Sequence, residues 1–369
     1  MRSFISFTNL DKQWGEIRVE SLPLIDKVLS SGKYLEHELI GELEKNLADF
    51  VGAEEIVLVN SGTDALMLSL ASLNIGPGDE VITVPNSFIA SVAAISHIGA
   101  IPVIVDVGSD HLIDANLIEA AITSKTKAIM PVHLEGKVCE MNKINEIANQ
   151  YNLRVIEDAA QSFGSKLGNK SVGSLSHVTC FSLHPLKNLN ACGDSGFVST
   201  TDSRIAEKIR VYRNHGQKER NNSIEFGVVS RFDSIQAAIL SVRLKRINNV
   251  IDKRRLNASI YNDKFKGSAI KLPVIRNDVY HSYHLYVIEI ENRDQIAKEL
   301  LDFGVETKIH YPKLITDQDA YKSKFIEYNT PFASYQKERI LSLPIHTDLT
   351  PEEINFVSNK ILELNDKYN

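Results

Sequence analysis

Cysteine is scarce in this chain: Cys139, Cys180 and Cys192 are the three among 369 residues. An odd number with no close pair excludes a disulfide framework and a Cys-x-x-Cys metal or redox site, and it predicts a reduced, cytoplasmic protein. A strong excess of one charge is missing too. Lys and Arg number 41 against 47 Asp and Glu, a net charge of −6, which argues against a general nucleic-acid or membrane-surface role. The one short basic run, Lys253-Arg254-Arg255, reads as the solvated face of a helix. Long apolar runs are also lacking. The stretch 88–105 is interrupted by His97, Gly99 and Pro102, and reads as helix, turn and strand instead of a membrane span. Near the amino terminus Asn9, Asp11 and Lys12 break the chain before an apolar signal core can form. No His-x-Glu-x-x-His or Gly-x-Ser-x-Gly pattern occurs, so no metal site and no nucleophilic serine are predicted.

What the chain does contain is alternation. Hydrophobic residues make up 43% and charged residues 24%, ordinary values for a globular protein with a large core. Short, largely apolar runs at 55–59, 80–84, 101–105, 128–132, 154–157, 178–182 and 196–200 predict strands buried on both faces. Amphipathic segments between them (64–73, 87–98, 141–151) predict helices on both sides of an open, mostly parallel α/β sheet. No long helix separates the last two runs, so the sheet need not be purely parallel. Residues 217–224 read as an exposed loop and 234–265 as one long helix. Beyond it, 283–289, 293–303 and 351–364 predict a smaller α+β unit. The expected division is a large domain over 1–250 and a small C-terminal domain over 251–369.

Three small features carry chemistry. In Asn60-Ser61-Gly62-Thr63-Asp64 a turn opens a helix, where free N–H groups form an anion site; a plain helix cap is the structural alternative. Asp158 ends a buried strand, the edge at which ligands of open α/β sheets gather, and a carboxylate there needs a cation or good hydrogen bonds. Gln161 follows about one helical turn later. Lys187 comes after the run that ends at Ser182, and a desolvated lysine has a lowered pKa suited to Schiff-base formation. An anion site, a strand-end carboxylate and a strand-end lysine match a phosphate tail, a basic ring nitrogen and an aldehyde. Pyridoxal 5'-phosphate (PLP) has all three. Phe88 offers a ring for stacking, and His310-Tyr311 projects toward a cleft in this reading.

The ordered set resembles the DegT/DnrJ/EryC1/StrS family of PLP-dependent sugar aminotransferases, which share the aspartate aminotransferase fold, fold type I. The likeness runs from Ser31-Gly32-Lys33-Tyr34 through Ser61-Gly62-Thr63-Asp64-Ala65-Leu66, Pro131-Val132-His133-Leu134, Glu157-Asp158-Ala159-Ala160-Gln161-Ser162 and the Lys187 segment to Arg213-Asn214-His215-Gly216 and Ser342-Leu343-Pro344. It implies that Lys187 holds the cofactor covalently and acts as catalytic acid and base, while Asp158 pairs with the ring nitrogen. It further implies Ser61, Gly62, Thr63 and Ser182 at the phosphate, Phe88 over the ring, and Gln161 at the phenolic oxygen. Candidates for substrate contacts are His184, Arg231, His310 and Tyr311. The implied assembly is a homodimer in which residues 226–231 reach the partner's cofactor.

Three departures stand out. Val229 replaces an asparagine that touches the partner's phosphate in the family, with Ser230 as a possible substitute. Lys313-Leu314 replaces a Pro-x-His element. Glu135 stands where an aromatic or small residue is frequent. All three are expected near substrate or partner surfaces. The implied reaction passes an amino group from L-glutamate, through pyridoxamine 5'-phosphate, to a keto-deoxy sugar carried on a nucleotide. A cyclitol, a free sugar acid or another non-nucleotide carbonyl compound is the alternative acceptor. A dehydratase member, with histidine for lysine or an added iron–sulfur cluster, and a non-catalytic member are further alternatives.

Overall fold

Apolar runs with no polar face have to be covered on both sides, and this chain buries them at its centre. The computed structural model describes residues 4–368. Its main strands are β1 (Glu55–Val59), β2 (Glu80–Thr83), β3 (Ile101–Ile104), β4 (Thr126–Ile129) and β5 (Arg154–Asp158). A short hairpin, β6 (Lys166–Leu167) and β7 (Lys170–Ser171), precedes β8 (Val178–Ser182) and β9 (Gly196–Thr200). Seven of these strands form one sheet in the order β1-β9-β8-β5-β4-β2-β3. Only β9 is reversed, pairing antiparallel with both β1 and β8; the other pairings are parallel.

The pleat divides alternate side chains between two cores. Ile56 and Leu58 join Phe181 and Phe197 on one face, while Val57 and Val59 join Val178, Cys180 and Val198 on the other. Phe181 and Phe197 are register partners whose rings stack at 4.4 Å. Helices α1 (Leu10–Ser31), α2 (Glu38–Val51), α3 (Gly62–Ser72), α4 (Ala90–His97), α5 (Met141–Gln150) and α6 (Ser203–Tyr212) belong to this part of the chain.

Residues 217–224, expected as a bare loop, contain a small hairpin of β10 (Gln217–Glu219) and β11 (Asn222–Ser223). The expected long helix over 234–265 is two helices, α7 (Ser234–Leu244) and α8 (Ile247–Phe265), broken at Lys245-Arg246. Apolar periodicity continues across that break, so composition does not reveal it.

The C-terminal third contains β12 (Val279–Tyr280), which pairs with β6, and the antiparallel pair β13 (Tyr286–Glu289) and β14 (Ile340–Leu343). Helices α9 (Arg293–Asp302), α10 (Asp319–Lys322), α11 (Pro331–Lys337) and α12 (Pro351–Tyr368) complete it. A separate core gathers Tyr261, Phe265, Tyr286, Ile288, Leu341 and Val357. The expected cut at 250/251 falls inside α8, whose Ile247 and Ile251 belong to the sheet core and whose Ala258, Tyr261 and Phe265 belong to the C-terminal one. Ile5 joins the C-terminal core. Its amide donates to Gly304 O (2.8 Å) and its carbonyl accepts from Glu306 N (2.9 Å), while Phe7 N donates to Glu306 Oε2 (2.9 Å).

Candidate active site

The strand order brings one edge together. Val59 and Ser182 are both register partners of Gly196, and Asp158 pairs with Cys180. The turn after β1, the carboxyl ends of β5 and β8, and the start of reversed β9 therefore meet. A cavity of about 460 Å³ opens there, between the sheet edge and the C-terminal third. Its wall includes Ser61, Gly62, Thr63, Phe88, Asp158, Gln161, Ser182, His184, Lys187, His310 and Tyr311, eleven of the twelve residues singled out from sequence.

Ser61 caps α3, its Oγ accepting from Asp64 N at 3.0 Å. The amides of Gly62 and Thr63 find no acceptor among the described residues, and they lie at the positive end of the helix dipole. Two close approaches need glycine here. A Cβ on Gly62 would lie 2.7 Å from Ser182 Cβ, and one on Gly196 would lie 2.5 Å from the Ser61 carbonyl carbon.

Asp158 is buried. Its Oδ2 accepts from Ser91 Oγ at 2.7 Å and its Oδ1 from Ala160 N at 3.1 Å. The preceding Glu157 is fully buried and held by His133 Nε2 (2.7 Å), Ser176 Oγ (2.6 Å) and Thr179 Oγ1 (2.8 Å). Burial lowers the pKa of Lys187 to about 8, against the opposing pull of the Asp158 carboxylate. Burial and then the Lys187 charge depress His184, and also His310, which falls to about 4. Gln161 accepts from Glu135 N at 2.8 Å and donates to Tyr311 Oη at 3.1 Å. Phe88 is exposed, with its ring 5.9 Å from that of Tyr311. Residues Phe7 to Leu10 and Gln13 roof the opposite side.

Arg231 is the predicted residue that this cavity does not include; it is exposed. Its segment is held to residues 212–215 by backbone hydrogen bonds, with Phe226 fully exposed and Val228 and Val229 exposed beside it. Ser230 is committed to its own chain. It is buried, accepting from Asn60 N (3.1 Å) and donating to Asp64 Oδ2 (2.7 Å). Glu135 is buried against His111 Nδ1 and Lys137 Nζ, both at 2.7 Å, and lines a small hollow with His310 and Tyr311. The Lys253-Arg254-Arg255 run is not simply a solvated face. Arg254 lines the cavity, and the Arg255 guanidinium covers the Tyr280 ring at 4.0 Å.

Sequence reasoning missed Ser91, Arg254, His284, His346 and the roof segment. Of these only Ser91 left a signal, standing one helical turn after Phe88.

The residues present fit PLP. Among the described residues, two amides at the start of α3 have no acceptor, the buried Asp158 carboxylate forms no ion pair, and the half-buried Lys187 amine, with its lowered pKa, has no hydrogen-bond acceptor. Fold and site together define a PLP-dependent transferase of the aspartate aminotransferase architecture. The chain belongs to the DegT/DnrJ/EryC1/StrS aminotransferase family, whose model matches residues 16–362.

Among its relatives is a dTDP-3-amino-3,4,6-trideoxy-alpha-D-glucose transaminase of Streptomyces venezuelae, 38% identical over 92% of this chain and 91% of that one. A UDP-2-acetamido-2-deoxy-3-oxo-D-glucuronate aminotransferase of Pseudomonas aeruginosa is 37% identical over 96% and 98%. A protein of Geobacillus stearothermophilus called a pleiotropic regulatory protein is 36% identical over 97% and 98%. Among solved structures, DesV of S. venezuelae with a ketimine intermediate superposes with a TM-score of 0.96 at 35% identity over 99% of both chains. Another, ntda of Bacillus subtilis with bound cofactor PMP, gives 0.92 at 32% identity over 99% of this chain and 86% of that one.

Proposed function

We propose that this aminotransferase moves an amino group from L-glutamate to a keto-deoxy sugar carried on a nucleotide. The observation that carries the reading is the Lys187 amine, with a pKa lowered to about 8, in one cavity with Asp158 and the open α3 amides. The names of the dTDP- and UDP-sugar relatives support the acceptor class. When bound, the cofactor supplies an aldehyde and an electron-withdrawing ring.

The chain does the rest. Gly62 and Thr63 amides and the Ser61 and Ser182 hydroxyls hold the phosphate, and Asp158 holds the ring nitrogen protonated. Phe88 covers a ring face. Gln161 Nε2 has a second hydrogen, beyond the one given to Tyr311, for the phenolic oxygen. With the cofactor bound, Lys187 Nζ, its pKa lowered to about 8, would take and return the proton of the donor's α-carbon. His184, His310 and Tyr311 line the acceptor side. Arg231, with the exposed Phe226 and Val229, belongs to a surface that serves a partner subunit's site in a cytoplasmic homodimer.

The test is spectroscopic. Purified protein with PLP is expected to be yellow, and Lys187→Ala or excess L-glutamate should remove the colour. A preparation that stays colourless with added PLP overturns the reading. The pyridoxamine form, offered a panel of nucleotide-linked keto sugars, should regain the colour with at least one; failure with all of them moves the acceptor to the non-nucleotide class. Sedimentation of an active monomer would overturn the dimer.

A further inference from the structure

One charge in the cavity has no counterpart. Arg254 Nη1 donates to the carbonyls of Tyr283 (3.0 Å) and His284 (3.1 Å), but its Nε is buried without an acceptor. Burial alone depresses the guanidinium, to about 10, and no carboxylate offsets it. A half-buried guanidinium without a counter-charge is costly, and its planar donors suit a carboxylate.

The surroundings favour an anion. Asp158 and Asp194 are the acidic residues of the cavity wall among the described residues. Asp158 is tied to Ser91, and Asp194 is exposed. Arg254 also borders a second, smaller hollow, shared with Lys187, Arg243, Arg246 and one acid, Glu16. Within the main cavity its neighbours are His284 and His346, and His284 Nδ1 is buried without a partner. The Arg254 charge acts on both of those imidazoles, whereas Lys187 responds to Asp158; His284 feels both cations. Arg254 and Lys187 line the main cavity together and share the smaller hollow as well. An acidic amino acid whose nitrogen meets Lys187 therefore brings its carboxylates into the cavity that Arg254 lines.

We propose that Arg254 binds the side-chain carboxylate of the amino donor and so selects an acidic amino acid over its neutral analogues. This rests on the aminotransferase reading. A phosphate of the acceptor is the other anion that such a guanidinium could hold.

The experiment uses the full-length PLP-loaded protein and follows loss of its colour with L-glutamate, L-glutamine and L-alanine. Wild type should reach half-maximal rate at about ten-fold lower L-glutamate than L-glutamine, the effect of one ion-paired group. Arg254→Gln should remove that preference by weakening L-glutamate about ten-fold while L-glutamine and L-alanine move less than about two-fold. Arg254→Lys, which keeps a cation and a donor for the Tyr283 and His284 carbonyls, should fold and retain part of the preference. Calorimetry with glutarate, a dicarboxylate without an amine, should show binding to wild type and weak or no binding to Arg254→Gln.

No wild-type preference for glutamate, or a preference that survives in both variants, overturns the proposal. Equal loss for all three donors overturns it as well, pointing to the α-carboxylate or to local structure. Loss of UDP or dTDP binding with glutarate binding intact would assign Arg254 to the acceptor. Colourless wild type would instead overturn the aminotransferase reading itself.

Discussion

Ser91 Oγ donates to Asp158 Oδ2 at 2.7 Å, joining α4 to the end of β5 beneath the cavity. Ser87 Oγ lies 3.0 Å from the same hydroxyl and extends the link toward the loop that carries Phe88. One serine thus aligns the strand-end carboxylate and anchors the segment that presents the aromatic ring. Removing it should weaken both. Ser91→Ala is expected to lower stability by about 1.5–3 kcal/mol, the range for a buried hydrogen bond to a charged group, measured by urea unfolding of the cofactor-free protein. PLP should also leave the variant faster on dialysis, and unchanged retention would deny Ser91 its aligning role.

Gly62 and Gly196 are tight for different reasons, and their alanine variants should differ accordingly. The Gly62 position faces Ser182 Cβ at 2.7 Å, whereas Gly196 faces the backbone of Ser61 and Gly62 at 2.5–2.7 Å. Overpacking of this kind costs about 1–3 kcal/mol, more where the obstacle cannot move. Gly196→Ala is expected to be the less stable of the two by thermal unfolding. Gly62→Ala should fold and bind PLP more weakly, because its strain spreads the phosphate cup.

A third expectation concerns pH. Burial, the largest single effect, and the Lys137 charge disfavour a charged His111, but the Glu135 charge and the hydrogen bonds the imidazole gives to Glu135 and Glu289 together hold its pKa above its ordinary 6.5. His111 joins Glu135 at 2.7 Å to Glu289 of β13 at 3.2 Å, with Lys137 and Lys271 completing the network. A raised folded-state pKa gives stabilisation that is complete below the unfolded value and is lost as pH rises through the folded one. His111→Gln should therefore be less stable than wild type at pH 6, and the gap in urea midpoint should shrink toward pH 9. A gap that widens with pH would contradict this. Glu135→Gln, which strands Lys137, should cost about 3–5 kcal/mol.

Lys187 gives the fourth. With its pKa lowered to about 8 by burial, the neutral amine dominates above that pH. In competitive acetylation of the cofactor-free protein, Lys187 should reach half-maximal reactivity near pH 8, whereas exposed lysines respond near their ordinary 10.5. Titration together with the surface lysines would remove the basis for proton transfer at this residue.

How much of this was legible in the sequence depended on distance along the chain. Strands such as 178–182 and 196–200 showed themselves because full burial on both faces forces an unbroken apolar run. Lys187, Asp158 and Gly62 followed, since each sits within a few residues of such a strand end. The break at Lys245-Arg246 was hidden because periodicity runs through it. Arg254 was hidden by its neighbours: in Lys253-Arg254-Arg255 all three look solvent-facing, and only the packing of α8 against 283–284 turns one inward. Glu135 showed as an odd residue, but its partner His111 lies 24 positions away, beyond any local pattern.

The amino-terminal segment has a consequence for synthesis. Phe7 finds its acceptor on Glu306, 299 positions later, yet Phe7 and its neighbours roof the cavity. At ~5–20 residues per second, a nascent chain waits on the order of tens of seconds for that acceptor to emerge. Until then the sheet edge with Gly62, Asp158 and Lys187 stands open on the ribosome. The first residues made are thus among the last to be fully seated, and a chain truncated before residue 306 retains Lys187 but lacks the acceptor for Phe7.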